Sequence, residues 1–151
     1  MNKPKRDAGE AKLQVAFINW MRSACPDVVV WHTYNENSVS AIQGKIKKDR
    51  GVLAGVHDNC LLLPDGRFAT IELKSPNKAP SQNKYSDTQQ AFAERLDKAN
   101  IRHFCCQNGP QIETAIASLG LSALFKFPRS LDATGAQMFR QVVAHELYRR
   151  D

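Results

Sequence analysis

The tightest constraint on the fold of this chain lies between residues 59 and 74. A short apolar run over residues 59–63 meets Pro64, Asp65 and Gly66, and a second extended run follows over residues 67–74. Proline presets φ at one turn position, aspartate bonds to nearby backbone, and glycine accepts positive φ, so these three residues predict the turn of a β-hairpin. In the second run, side-chain alternation sends Ala69, Ile71 and Leu73 toward a core and brings Glu72 and Lys74 out together on the opposite face. A hairpin with one apolar face must be covered, and the flanking sequence offers helices to cover it.

Leu13, Ala16, Phe17, Trp20 and Met21 fall at helical spacing within residues 10–24, and Pro26 ends the run. Val28, Val29, Val30 and Trp31 are β-branched or aromatic and predict a strand. A polar stretch then leads to the basic segment Lys45-Ile46-Lys47-Lys48-Asp49-Arg50, read as a helix that stops at Gly51. Residues 75–85, rich in Pro, Asn, Ser and Lys, predict an exposed loop. Ser86 caps a helix over residues 87–99, residues 101–106 predict a buried strand, and residues 110–118 predict a helix with proline in first position. Strands alternate with helices, which gives an α/β domain. The 151 residues suffice for one such domain with a proper core. Beyond Gly120 the pattern weakens, although residues 136–150 place Phe139, Val142, Val143 and Leu147 on one side of a possible helix. That stripe either packs on its own core or forms a subunit interface.

Charge narrows the range of partners. The 21 Lys and Arg exceed the 15 Asp and Glu and leave net +6, a balance that favours polyanions through long-range attraction and counterion release. Cys25, Cys60, Cys105 and Cys106 show no Cys-x-x-Cys spacing, which argues against a zinc knuckle and for free thiols in a reducing cytoplasm. Residues 1–12 lack the apolar region of a secretory signal, and no stretch approaches the roughly 20 apolar residues that span a bilayer, so no membrane association is expected.

The hairpin also gathers chemistry. Asp58 stands at the mouth of its first strand, and antiparallel pairing brings it toward the end where Glu72 and Lys74 lie. Two carboxylates converging beside a lysine suit Mg²⁺ or Mn²⁺, which prefer hard oxygen ligands and leave positions open for a phosphate oxygen. In phosphodiester hydrolysis Lys74 would orient the attacking water or offset charge growing on phosphorus. An isolated Glu-x-Lys triplet on a half-exposed strand is far more often a cross-strand ion pair or part of a solvated face, so the surrounding sequence carries the decision.

That surrounding sequence is Gly51-Val52-Leu53-Ala54-Gly55-Val56-His57-Asp58, then Ile71-Glu72-Leu73-Lys74, then Ser86-Asp87-Thr88-Gln89 followed by Phe92 and Leu96. In this order and spacing the series resembles the VRR-NUC domain, a branch of the PD-(D/E)xK nuclease superfamily. Glu10-Ala11-Lys12-Leu13-Gln14 and the pair Asn35 and Glu36 are similar to that family's first helix and the polar loop after it, and the resemblance covers residues 10–108. It implies a restriction-endonuclease-like core with a central mixed sheet of about four strands flanked by helices. The nuclease domain would occupy residues 10–119, between a short N-terminal segment at 1–9 and a C-terminal helical extension at 120–151.

The resemblance further implies that Asp58 and Glu72 are metal-binding carboxylates, that the Leu73 carbonyl is a further ligand and that Lys74 is the catalytic lysine. Glu10 would reach the same site, and Gln89 would bound it and help place the water or phosphate. Gln89 also stands three residues after Ser86 and fits a capping box, while Glu10 also suits the positive end of its helix dipole. Where the family usually has proline before the aspartate, this chain has His57, which loses the fixed φ of proline and reads as a solvated side chain in a less rigid turn. Lys45, Lys47, Lys48, Arg50, Lys78 and Lys84 are the candidates for gripping a sugar-phosphate backbone, and no base-reading motif accompanies them. Short stand-alone members occur in bacteria and phages and imply a homodimer acting on structured or branched DNA. Two alternatives stay open: a catalytically silent nucleic-acid-binding protein, and an RNA- or junction-specific nuclease on the same fold.

Overall fold

The computed structural model describes residues 8–34 and 40–129. The expected helix at residues 136–150 and the pair Asn35 and Glu36 lie outside the described residues. The chain runs α1 (Ala8–Ala24), β1 (Val29–His32), α2 (Ala41–Asp49), β2 (Asn59–Leu62), β3 (Phe68–Leu73), α3 (Asp87–Lys98), β4 (Arg102–Cys106) and α4 (Gly109–Ser118), with a 3₁₀ turn at Pro80–Gln82. The four strands form one mixed sheet in the order β1-β2-β3-β4. This is the α/β architecture expected from the sequence.

The β2–β3 hairpin is antiparallel, with Asn59 opposite Ile71 and Leu62 opposite Phe68. Its turn closes through Gly66 N–H donating to the Leu63 carbonyl at 2.9 Å, with Gly66 at φ 86°. Asp65 accepts from the Arg67 backbone N–H at 3.0 Å, the local bond that aspartate was expected to make. β4 pairs parallel to β3, with Ile71 against Phe104, and parallel pairing requires a crossover long enough to return the chain to the same end of the sheet. The loop after β3 together with α3 provides it.

Ala69, Ile71 and Leu73 face a core completed by Leu13, Phe17, Trp20 and Met21 from α1 and by Ile112 and Ile116 from α4. The other face of β3, expected to emerge with Glu72 and Lys74 on it, is instead covered: Thr70 and Glu72 are buried. His57 bonds to Thr70 and the Gln89 side chain from α3 bonds to Glu72 on this face, and such long-range covering is invisible to strand alternation.

Smaller differences also have local causes. Asn108 accepts from Gln111 N–H at 3.0 Å as the N-cap of α4, so Gly109 takes the first helical position and Pro110 the second. α2 starts ahead of the basic run because Ser40 and Gln43 form a capping box. The weakly patterned residues after Gly120 are irregular over 121–129, yet they pack on the domain. Leu124 N–H donates to the Ala24 carbonyl, Trp20 Nε1–H donates to the Phe125 carbonyl at 3.0 Å, and Phe127 meets Trp20 edge-on at 5.5 Å.

A polar pair joins α1 to the sheet. Asn59 is fully buried, and its amide exchanges two hydrogen bonds with Gln14, at 2.7 and 2.9 Å, while also donating to the Ile71 carbonyl. Every buried polar atom of this pair therefore has a partner, which is the condition for tolerating it inside.

Candidate active site

With Asn59 opposite Ile71, the residue before β2 falls opposite Glu72. Asp58 N–H donates to Glu72 Oε2 at 2.9 Å, and Leu73 N–H donates to Asp58 Oδ2 at 3.2 Å. The carboxylate of each residue is thus tied to the other strand's backbone. Lys74 Nζ lies 3.3 Å from Glu72 Oε1 and 2.8 Å from Gln89 Oε1, while Gln89 Nε2 donates to Glu72 Oε1 at 2.6 Å. Asp58, Glu72, Lys74 and Gln89 therefore meet at one place.

The spacing of Gln89 from Ser86 does form a capping box, and the same side chain also reaches Lys74 and Glu72. Gln89 Oε1 accepts from Ser86 N–H at 2.8 Å, which completes the capping box of α3, and the same amide holds Lys74 and Glu72. The start of α3 is consequently bonded into the carboxylate cluster.

Burial dominates the electrostatics. Glu72 is 3 % exposed, and desolvation, reinforced by the charge of Asp58, pushes its carboxyl up to about 7, against the opposing pull of Lys74. Burial also raises the half-buried Asp58, with the Leu73 N–H acting in the other direction. One lysine thus faces two carboxylates held back from ionising, and this donor set fits a hard divalent cation as the remaining counter-charge. Among the described residues no group of three or more His, Cys, Asp and Glu side chains is disposed to hold a metal. A two-carboxylate centre matches Mg²⁺, which retains several waters and commonly takes one or two protein carboxylates. Glu10 stands in the first turn of α1.

The raised Glu72 carboxyl has a measurable consequence in metal-free protein. An acid whose folded pKa lies above its unfolded value contributes stability below the unfolded value, and that contribution is lost as pH rises through the folded one. His57 works oppositely, since burial lowers it from 6.5 to about 4, but its contribution is complete above about pH 6.5. In EDTA the melting temperature is expected to fall between about pH 6.5 and 8, and Glu72→Gln should flatten that fall. An unchanged slope in the variant would assign it to another group.

Three side chains that the sequence reading did not assign complete the surroundings. His57, read as solvated, is fully buried: its Nδ1 lies 2.7 Å from Thr70 Oγ1 and its Nε2 3.2 Å from the Gln89 carbonyl. Tyr85 stacks on it at 4.5 Å with planes 7° apart. Thr70 was findable, because it shares a strand face with Glu72; Tyr85 in a polar loop carried no such signal. Gly55, at φ 79°, passes so close to α3 that a β-carbon would stand 2.1 Å from the Thr88 carbonyl oxygen.

The grip candidates lie on α2 and on the loop before α3. Lys45, Lys48 and Arg50 are exposed and Lys47 is half-buried on α2, a helix that buries none of its residues, and Lys78 and Lys84 are exposed on the loop leading to α3.

A mixed four-stranded sheet flanked by helices, with an aspartate opposite a Glu-x-Lys strand, defines a nuclease domain with a restriction-endonuclease-like core. The chain belongs to the VRR-NUC domain family, whose family model matches residues 4–109. No curated protein and no solved structure gives a match to it. Among the described residues no helix is long and apolar enough to cross a membrane.

Proposed function

We propose that this protein is an Mg²⁺- or Mn²⁺-dependent deoxyribonuclease that hydrolyses phosphodiester bonds, with structured or branched DNA as its substrate. The observation that carries the reading is the pairing of a buried and a half-buried carboxylate with one lysine, a charge deficit suited to a hard cation. Asp58 and Glu72 would hold the ion with the Leu73 carbonyl. Glu10 lies one helical turn before Gln14, which is bonded to Asn59 beside Asp58, and would reach the same site. When bound, the metal supplies polarisation of the phosphate and acidification of a water.

The chain's own groups do the rest. Lys74, held between Glu72 and Gln89, keeps a positive charge where the attacking water is oriented and where negative charge grows on phosphorus. Gln89 bounds the site and keeps that ammonium in place. Lys45, Lys47, Lys48 and Arg50 on α2, with Lys78 and Lys84, would grip the sugar-phosphate backbone without reading bases. The exposed Val29, Trp31 and Leu62 on the outward face of β1 and β2 support a homodimer, and four free cysteines support a reducing cytoplasm.

The test is cleavage of labelled duplex, flap and four-way-junction DNA and of RNA, each with Mg²⁺, Mn²⁺ or EDTA. Metal-dependent cutting of the DNAs, strongest on the branched ones and abolished by EDTA, is expected. Binding without cutting under every condition would make the protein a nucleic-acid binder, and cutting of RNA alone would move the substrate class.

A further inference from the structure

His57 makes more specific contacts than a buried filler requires. The Gln89 carbonyl can only accept, so the ring nitrogen facing it, Nε2, carries the hydrogen. In the neutral imidazole Nδ1 is then an acceptor, and the Thr70 hydroxyl donates to it. One face of the ring stacks on Tyr85, and Phe92 meets it edge-on at 4.9 Å. Tyr85 is itself held, its hydroxyl 2.8 Å from His103 Nδ1, with His103 Nε2 bonded to Asp97 at 2.7 Å.

The partners of this ring are the segments that carry the site. Thr70 lies two residues before Glu72 on the same face of β3, Gln89 opens α3, and His57 immediately precedes Asp58. Its carbonyl also accepts from the Thr33 hydroxyl, which ties the same residue to the chain leaving β1. We infer that His57 is a positioning residue: through Thr70 and the Gln89 backbone, its imidazole holds Asp58 in register with Glu72 and fixes the start of α3, from which Gln89 holds Lys74. A proline at this position would restrict the turn through its own ring; here hydrogen bonds across three elements restrict it.

The inference rests on the nuclease reading for its kinetic consequence, but the positioning itself can be read without metal or DNA. Hydrogen exchange at the Asp58 and Leu73 amides reports the two bonds that join the carboxylates to backbone. In His57→Ala these amides are expected to exchange at least about 10-fold faster, while the buried turns of α1 around Phe17 and Trp20 keep their protection. Calorimetric Mn²⁺ affinity and kcat for DNA cleavage should each fall by about 10- to 100-fold, with KM for DNA nearly unchanged. His57→Gln, which can still donate toward the Gln89 carbonyl, should recover part of each loss.

If His57→Ala does not fold, Thr70→Val removes only the hydroxyl partner and should show the same local pattern more weakly. Unchanged exchange at Asp58 and Leu73 in a folded variant, or loss of protection spread evenly through α1, would overturn the assignment. A wild-type protein that neither binds Mn²⁺ nor cuts DNA would sink the nuclease reading, and the exchange pattern would still decide the role of His57.

Discussion

Glu72→Gln is expected to lower kcat for DNA cleavage by about 10³-fold or more while making the metal-free protein more stable at pH 8. The two effects share one cause. Glutamine keeps the length of the side chain and can still accept from Asp58 N–H, so the strand pairing at this point survives. What it removes is a carboxylate 3 % exposed, next to another carboxylate, whose ionisation burial resists. A folded protein that has gained stability and lost activity separates a charge retained for chemistry from one retained for structure. Lys74→Ala, which leaves Glu72 without its ammonium, should cost about 10²-fold or more in kcat with no such gain. Thermal melts at pH 8 in EDTA, beside single-turnover cleavage, make the comparison. Activity of Glu72→Gln within tenfold of wild type would remove Glu72 from the catalytic group.

Gly55→Ala is expected to destabilise the domain by about 3 kcal/mol or more and to reduce cleavage with it. Positive φ alone does not explain that size. Gly51 also has positive φ, at 89°, but a β-carbon there would meet nothing within 4 Å, whereas at Gly55 it would stand 2.1 Å from the Thr88 carbonyl oxygen and 2.9 Å from the Gln89 nitrogen. Gly51→Ala should therefore cost only about 1 kcal/mol, the conformational part of the penalty. Backbone lies on both sides of the collision at Gly55, so either the loop before Asp58 or the first turn of α3 must move. Each movement shifts a member of the Asp58, Glu72, Lys74 and Gln89 cluster. Denaturant unfolding of the two variants side by side tests the argument, and equal losses would remove the close approach as its basis.

Local chemistry makes much of this legible in the sequence itself. The stripe of Leu13, Ala16, Phe17, Trp20 and Met21 marks α1 because five residues at helical spacing need no distant partner to be recognised. Pro64, Asp65 and Gly66 mark the hairpin, and pairing across it is enough to bring Asp58 to Glu72. Whatever depends on a third element was out of reach. Thr70 is met by His57 and Glu72 by Gln89 of α3, while His57 is itself packed against Tyr85 and Phe92. Phe127 enters the core from an irregular stretch with no periodicity to reveal it. α4 begins one residue before Pro110 because the Asn108 side chain caps the helix, whereas proline is tolerated at several early helical positions and marks none of them uniquely.

The amide pair of Gln14 and Asn59 bears on how the domain avoids misfolding. A one-residue slip of β2 against β3 would exchange the two faces of the strand, turning Leu61 outward and carrying Asp58 away from Glu72. Apolar side chains alone discriminate weakly against such a slip when residues on both faces are hydrophobic, as Cys60 and Leu62 are beside Leu61. An asparagine that must find one glutamine on α1 discriminates strongly, because in any other alignment its amide would be buried without partners. The pair therefore favours the one register in which Asp58 and Glu72 lie opposite each other across the strands.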